Sequence, residues 1–463
     1  VIFNRKIKLI TTKEQELQLD GQSKMCNWLY NQLFQLVEED YKNGRQEKLL
    51  NGRNLRNKVP KIKAQSPFLY KVHSSPLKNT ALRLKEAYDR FFDKKLDNQK
   101  PKFRSWKKKW FSLFYDEPNK GFKLIDEGKL SITFGKLSVE EHQELKKKDK
   151  KVKKQLSTVV TLVEPLALGE NEKVKTLRIT KDIGGYYAIF TIENSKGIEM
   201  VKENSYIVFD PNHKNLAVGI DHKGRSYELK ALSSTLKYWD KRIDQIKSKR
   251  DKCERFARLV TTPNTQYWKP SKRWNYLNRA LERAELTRRE QIKQVLYSYA
   301  HYFSKKYDHI LIGDYVPTPD VAKHGSMKRA MLNQTPIGQF RKILEWVQEK
   351  NRKYYTKVDE TSTTKECCVC GHHEKKEPDV RVFTCKSCET TMYRDMNSVV
   401  NIGKKEGKLL PRLGYVGVKS PTYTVWWDWK RQSIVRGKYR QLASVNESLG
   451  EIKRTLRLKK SSS

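Results

Sequence analysis

Four cysteines in two pairs hold the most specific chemistry of the chain: Cys367-x-x-Cys370 and Cys385-x-x-Cys388, with 14 residues between the pairs. Paired knuckles of this spacing close a tetrahedral thiolate site, and zinc is the ion such a set selects. With all four positions supplied by protein, one zinc ion is structural and no coordination position is left for catalysis. Gly371 directly after the first knuckle suits the tight turn needed there. Of the seven cysteines, five fall between 367 and 388, where a disulfide framework would spread them; Cys368 reads as a bystander.

The second chemistry is carried by acids. Asp359 and Glu360 precede the knuckles in "KVDETSTTKEC", and Asp210 ends the apolar run "YIVFD" before "PNHKNLAVGID" returns as a second strand. Asp314 ends "ILIGDY", and Asp395 lies in "MYRDMNSVVNI", in the first turn of a helix with one apolar face. Phosphodiester cleavage with two divalent ions needs about three carboxylates converging from separate elements, and Mg²⁺ prefers oxygen ligands of this kind. Each acid also has a plain structural reading. Asp210 can cap a turn, Asp395 can cap a helix, and the pair before the knuckles can be solvated surface.

Composition narrows the partner. The 463 residues carry 96 Lys+Arg against 53 Asp+Glu, a formal charge of +43, and 37% hydrophobic content is enough for real cores. Such a field favours polyanions, with nucleic acid foremost, without choosing an activity. No apolar run of about 18 residues is present, and "VIFNRKIKLITTKEQ" lacks a signal-peptide core, so no membrane partner is expected and an intracellular protein is.

The elements that must position these residues follow from periodicity. "NRKIKLITT" alternates like a strand, "TKEQ" fits a capping box, and Met25, Trp28, Leu29, Leu33, Leu36 and Val37 recur as one helical face. A second helical pattern covers roughly 76–97. From about 100, "QKPKFRSWKKKWFSLFY" interleaves Lys102, Arg104, Lys107 and Lys108 with Phe103 and Trp106, which suits phosphate pairing and base stacking. The alternative is a strand with aromatics inward and lysines in water. A mostly β region follows, interrupted by the charge run 145–155, a solvated loop that would also serve as a nuclear localisation signal. Residues 235–304 read as an inserted helical hairpin joined by a polar loop, "TTPNTQYWKPSKR", and after about 405 the chain loses regular pattern.

In order and residues these parts resemble the TnpB family of transposon-encoded RNA-guided DNA endonucleases, with their eukaryotic relatives called Fanzor and the type V CRISPR effectors. The resemblance covers most of residues 1–404, through "RKIKLITTKEQ", "AYDRFFDKKLDNQKPKFRSWKKK", "FDPNHKNLAVGID", "DETSTTKECCVCG" and "FTCKSCETTMYRDMNSVVNI". It implies an α/β multidomain fold: a RuvC (ribonuclease H-like) nuclease core with an inserted zinc ribbon, and a β-barrel wedge domain carrying a helical recognition insertion. The implied boundaries are 1–10 and 100–204 for the wedge-like region, 11–99 for the helical region and 205–360 with 391–404 for the nuclease core. The zinc ribbon is 361–390, and 405–463 is a basic, disordered tail.

The resemblance also implies site residues. Asp210 matches the first catalytic acid and Asp395, in "RDMN", the last. Many members end the strand matching "ILIGDY" with a Glu, where this chain has Gly313 and Asp314; members with a rearranged site take that ligand from the segment matching "DETSTTKEC", which makes Glu360 the middle acid and Asp314 the alternative. "DPN" and "NSVVN" depart from the usual motifs without removing a carboxylate. Two Mg²⁺ ions, one structural Zn²⁺ and a guide RNA are the implied cofactors, with Arg394 approaching the scissile phosphate and Asn397 holding the acid or a metal water. The implied function is Mg-dependent cleavage of double-stranded DNA matched to the guide, with no small-molecule substrate, wherever the DNA lies (cytoplasm, nucleoid or nucleus). The alternatives are a nuclease-inactive RNA-guided DNA-binding repressor, and a zinc-ribbon nucleic-acid-binding protein without catalysis.

Overall fold

The computed structural model describes residues 1–44, 49–93, 98–105, 110–148, 153–195, 199–212, 215–262, 265–316, 336–376, 381–408, 410 and 421–438. Trp106, Lys107 and Lys108 lie outside these residues, as does part of the charge run 145–155. The chain divides into two compact units, Val1–Gly197 and Ile198–Ser463.

The first unit is a seven-stranded antiparallel sheet with helices from its first hundred residues. Its strands are β1 (Ile2–Ile10), β2 (Ser112–Tyr115), β3 (Phe122–Asp126), β4 (Lys129–Lys136), β5 (Gln155–Leu162), β6 (Glu172–Asp182) and β7 (Gly185–Asn194), in the order β2-β6-β7-β1-β5-β4-β3. Alternation in β6 and β7 sends Leu177, Ile179, Ala188 and Phe190 to the buried face. Helix α1 (Lys13–Lys42) starts at Thr12 with the reciprocal capping box that "TKEQ" predicts. It buries Leu19, Cys26, Leu29, Leu33 and Val37. Trp28, expected on that face, is instead exposed and meets the Phe68 ring edge-on at 4.9 Å. Helix α2 (Ser74–Phe92) packs against α1 through Leu77, Ala81, Leu84 and Tyr88.

The second unit is a mixed sheet buried on both faces. Its strands are β8 (Tyr206–Pro211), β9 (Ala217–Asp221), β10 (Ser226–Leu229), then, past a helical insertion that carries the ribbon β11 (Arg258–Thr262) and β12 (Thr265–Lys269), β13 (His309–Gly313) and β14 (Tyr354–Val358). With the late strands β17 (Tyr423–Asp428) and β18 (Ser433–Lys438), the order is β14-β13-β8-β9-β10-β17-β18. Strands β8, β13 and β14 are parallel, and β8, β9 and β10 form an antiparallel meander. Ile207, Phe209, Ile310 and Ile312 face the core formed with helices α4 (Lys272–Ser304) and α5 (Ile337–Lys350). Val208 and Leu311 face the other core, with helix α6 (Arg394–Lys405) and the cysteine knuckles. Burial on both sides explains why "YIVF" and "HILIG" are unbroken apolar runs.

Two expectations need correction. The loop inside the insertion is not irregular: between α3 (Ser233–Asp251) and α4, the β11–β12 ribbon pairs Arg258–Thr262 with Thr265–Lys269. Its β-branched and aromatic residues, Val260, Thr261, Tyr267 and Trp268, suit a pleated strand. Nor is the segment after 405 wholly unstructured. Val425 and Trp427, two residues apart, are buried on one face of β17, which runs parallel beside β10. Among the described residues no helix is long and apolar enough to cross a membrane.

Candidate metal and nuclease site

Asp210 closes β8, opposite Val218 of β9, and is buried. Asp395 lies in the first turn of α6, buried beneath the strand ends. Between them comes Glu360. Strand β14 runs parallel to β13 and sets Val358 opposite Gly313; the chain then turns, and the Glu360 side chain folds back over the Gly313 Cα. A Cβ built on Gly313 would fall 1.6 Å from Glu360 Oε1 and 2.3 Å from its Cδ. Glu360 thus fills the space that a side chain at the strand end would take. Gly313 is not among the glycines with positive φ, so its lack of a side chain serves this approach.

The neighbouring acids do different work. Asp314 Oδ1 accepts the backbone N–H of Glu360 at 3.1 Å, and the Asp314 N–H donates to the Val358 carbonyl at 2.8 Å. Asp314 therefore clasps the turn that presents Glu360. Asp359 points to solvent, accepts from the Thr361 hydroxyl at 2.6 Å and pairs with Lys405 at 2.9 Å, which together hold its carboxyl down at about 2. Of the two acids ahead of the knuckles, one is a surface turn cap and the other turns inward.

Electrostatics mark the inward set. Burial, then the charges of Glu360 and Asp395, raise Asp210 well above the ordinary carboxylate range. Burial raises Glu360 to about 7, with Asp314 adding to the shift and the Tyr315 backbone amide and Arg341 opposing it. Glu360 Oε1 is buried and has no hydrogen-bond partner. A buried acid with a purely structural task looks different. Asp221 accepts from Tyr307 at 2.8 Å, Arg225 Nε at 2.7 Å and two backbone amides. Glu360 and Asp395 thus act on Asp210 through their charge, and Glu360 keeps one oxygen bare, but among the described residues the four cysteines alone bring three or more donor atoms within ligating distance of one another.

Asp395 is framed by cations. Arg381 Nη1 donates to its two oxygens at 3.0 and 3.3 Å, Arg394 lies at 3.5 Å, and Asn212 Nδ2 donates at 3.4 Å. Arg381 stands immediately before β15 (Val382–Thr384), the first strand of the ribbon hairpin that β16 (Thr391–Tyr393) completes. No sequence motif pointed to it. Its only signal was a cation just ahead of a short strand. Asn397, expected near the acid or a metal water, has another place. Fully buried, it accepts the Cys368 N–H at 2.8 Å and donates to the carbonyls of Glu366 at 2.7 Å and Thr363 at 3.3 Å. Asn401, one turn on, donates to the same two carbonyls at 2.9 Å each. The pair pins the loop joining Glu360 to the first knuckle.

The four cysteine sulfurs lie within 4.8 Å of one another, with Cys367 and Cys388 at 3.7 Å and Cys370 and Cys385 at 3.6 Å. A tetrahedron with Zn–S bonds near 2.3 Å has sulfur–sulfur edges of about 3.8 Å. Cys368 stays outside, its sulfur against Met392 Sδ at 3.5 Å. Gly371 takes the left-handed backbone (φ +76°) in the first knuckle and Glu389 (φ +56°) in the second. Of the basic–aromatic stretch, Arg104 is half-buried in the first unit while Lys102 and Phe103 are exposed.

Residues 338–402 match the TNB domain of Cas12f1-like proteins. The fold as a whole is similar to that of the Cas12f1 chain in a Cas12f1–sgRNA–target DNA complex, with a TM-score of 0.55 and 14% identity over 85% of this chain and 83% of that one. A Cas12f chain in a CRISPR-Cas12f ternary complex aligns over 84% of this chain and 81% of its own at 14% identity, with a TM-score of 0.30, too low to weigh in the fold assignment. No curated protein matches the chain in sequence. The mixed α/β fold is thus similar to that of Cas12 proteins, with a four-cysteine cluster whose geometry could hold a metal ion.

Proposed function

We propose that the protein is an RNA-guided DNA endonuclease whose cleavage centre is Asp210, Glu360 and Asp395. The observation that carries this reading is the Glu360 carboxylate lying over Gly313, buried and with a bare oxygen, in the field of Asp210. A strand-end acid has been replaced in space by one from the next strand's loop. The sequence motifs around these acids favour a TnpB-like or Fanzor-like protein with a rearranged centre, and the fold likeness to Cas12f1 is consistent with it. The charge of +43 suits a load of guide RNA together with a DNA duplex. Specificity would then come from base pairing, while the protein reads backbone shape and a short adjacent duplex motif.

Asp210, Glu360 and Asp395 would hold the Mg²⁺ ions and the four cysteines the zinc. Bound Mg²⁺ would supply a nucleophile at neutral pH and neutralise charge on the phosphate. The remaining tasks fall to the chain itself. Asp314 and the Asn397–Asn401 pair fix the loop that carries Glu360. Arg381 and Arg394 hold Asp395 in place and lend positive potential where a scissile phosphate would approach.

The test is cleavage by protein co-expressed with its native flanking DNA, so that a guide can form, on a target designed from the co-purified RNA. Wild type should cut with Mg²⁺, Glu360→Gln should abolish cutting, and Asp314→Asn should reduce it only in part. A discrete RNA that guides binding with no cutting by wild type would make the protein a programmable binder and overturn the assignment.

A further inference from the structure

The first unit holds a cleft of about 680 Å³ that the carboxylate centre does not use. Helix α2 supplies Arg83 and Arg90, the segment before β2 supplies Lys100, Lys102 and Arg104, and β6 supplies Arg178. A single acid, Glu86, lines it. Glu86 is engaged by Arg90 at 2.6 Å, and Lys100 is engaged by Glu38 at 2.9 Å. That leaves Arg83, Lys102, Arg104 and Arg178 with no carboxylate in ion-pair range among the described residues.

Two of these arginines are held by neutral groups. The Arg104 guanidinium lies 3.8 Å from the Tyr30 ring centre and 5.2 Å from that of Trp110, and its Nη1 donates to Asn27 Oδ1 at 2.9 Å. The Arg178 guanidinium lies 4.9 Å from the Phe114 ring and donates to Ser112 Oγ at 3.4 Å. Burial and the charge of Arg83 lower both guanidinium pKa values, Arg104 to about 10. Like charges set together, partly dehydrated and aimed by rings and amides, destabilise a fold unless an anion joins them. The rim adds flat apolar surface, with Phe103 56% and Trp110 43% exposed.

We infer that this cleft takes one nucleotide of a single-stranded RNA, its phosphate among Arg83, Arg104 and Arg178 and its base stacked on Phe103 or Trp110. The volume lies within the ~300–1,000 Å³ typical of sites for small ligands, which admits a nucleotide and excludes a duplex. Asn79 and Gln99, which also line the cleft, are neutral partners for a 2′-hydroxyl and a base edge. Stacking on aromatic or guanidinium planes is the usual way proteins hold unpaired RNA. The inference rests on the RNA-guided reading and gives it a grip separate from base pairing with DNA.

The experiment is fluorescence anisotropy of the full chain with a 12-mer oligouridine and a 12-mer oligothymidine, across a salt series. The variants are Arg83→Ala/Arg178→Ala, Arg83→Lys/Arg178→Lys and Trp110→Ala, each compared with wild type for thermal midpoint. Loss of two of the three arginines around that phosphate should weaken oligouridine binding about tenfold or more and lower the log–log salt slope by about 0.7. The lysine pair should keep the slope, and Trp110→Ala should weaken binding without changing it. Wild type should prefer oligouridine. An alanine pair with wild-type slope and affinity, or equal binding of both oligomers by wild type, would overturn the site. No target DNA or cleavage enters the assay, so failure here and failure of matched-target cutting are separate results.

Discussion

Placing an alanine at Gly313 tests the centre with one methyl group. The new Cβ would stand 1.6 Å from Glu360 Oε1 where carbon and oxygen normally approach to ~3.5 Å, so the carboxylate must retreat by nearly 2 Å. In a strand without such a neighbour, glycine to alanine is stabilising by about 0.5–1 kcal/mol. Here overpacking should instead cost about 1–3 kcal/mol. Removing Glu360 removes the collision. In a Glu360→Ala background, Gly313→Ala should return to its ordinary small gain, a coupling of about 1.5–4 kcal/mol between residues 47 positions apart in sequence. Urea unfolding of wild type, both single variants and the double variant measures it. Displacing a reacting group by an ångström or more costs roughly a hundredfold in rate, so Gly313→Ala should cut matched DNA at about 1% of the wild-type rate. Equal cost of the methyl in both backgrounds, or cutting at the wild-type rate, would refute the placement of Glu360 over Gly313.

Acidity gives a second test. The folded-state value for Glu360, about 7, lies above its ordinary 4.5, so the folded protein binds that proton more tightly, and the associated stability is complete below pH 4.5 and lost as pH rises through 7. At 1.36 kcal/mol per unit this amounts to about 3 kcal/mol, with Asp210 shifted in the same direction. Metal-free wild type should therefore lose stability relative to Glu360→Gln between pH 4.5 and 8, and millimolar Mg²⁺ at pH 8 should restore it in wild type alone; a difference that does not change with pH would contradict this. A third perturbation acts through the ribbon. Cys370→Ser should abolish stoichiometric zinc by elemental analysis and, because Asn397 and Asn401 tie the Glu360 loop to the knuckle, abolish cleavage too, while RNA still co-purifies. Zinc-free protein cutting normally would show the ribbon to be dispensable.

Much of this was legible from local pattern. The knuckles are short-range geometry, and sequence spacing alone brings their sulfurs together. Asp210 and the doubly buried strands announced themselves as apolar runs ending in an acid. The Glu360–Gly313 contact was reachable only as an absence, a strand end lacking its expected acid, because the steric fact joins β13 to the loop after β14. Asn397 was misplaced for a related reason. Its i,i+4 partner Asn401 was visible, but nothing in one helix shows which carbonyls a packed loop will present. Strands β17 and β18 were lost in a lysine-rich context, although Val425 and Trp427 carried the period-two signal.

The parallel pairing of β10 with β17 has a consequence for synthesis. Ser226 and Thr422, whose hydroxyls meet at 2.9 Å, are 196 residues apart, so the β10 edge waits bare while the insertion, the helices and the zinc ribbon are translated. Pairing over such distances is slow, and domains complete themselves from the N-terminus as they emerge. Val1–Gly197, with its arginine cleft, has all of its strands before most of the second unit exists. If the proposed function holds, the nascent chain would therefore carry its RNA cleft before its carboxylates are assembled, and the order of translation would set RNA binding ahead of cutting.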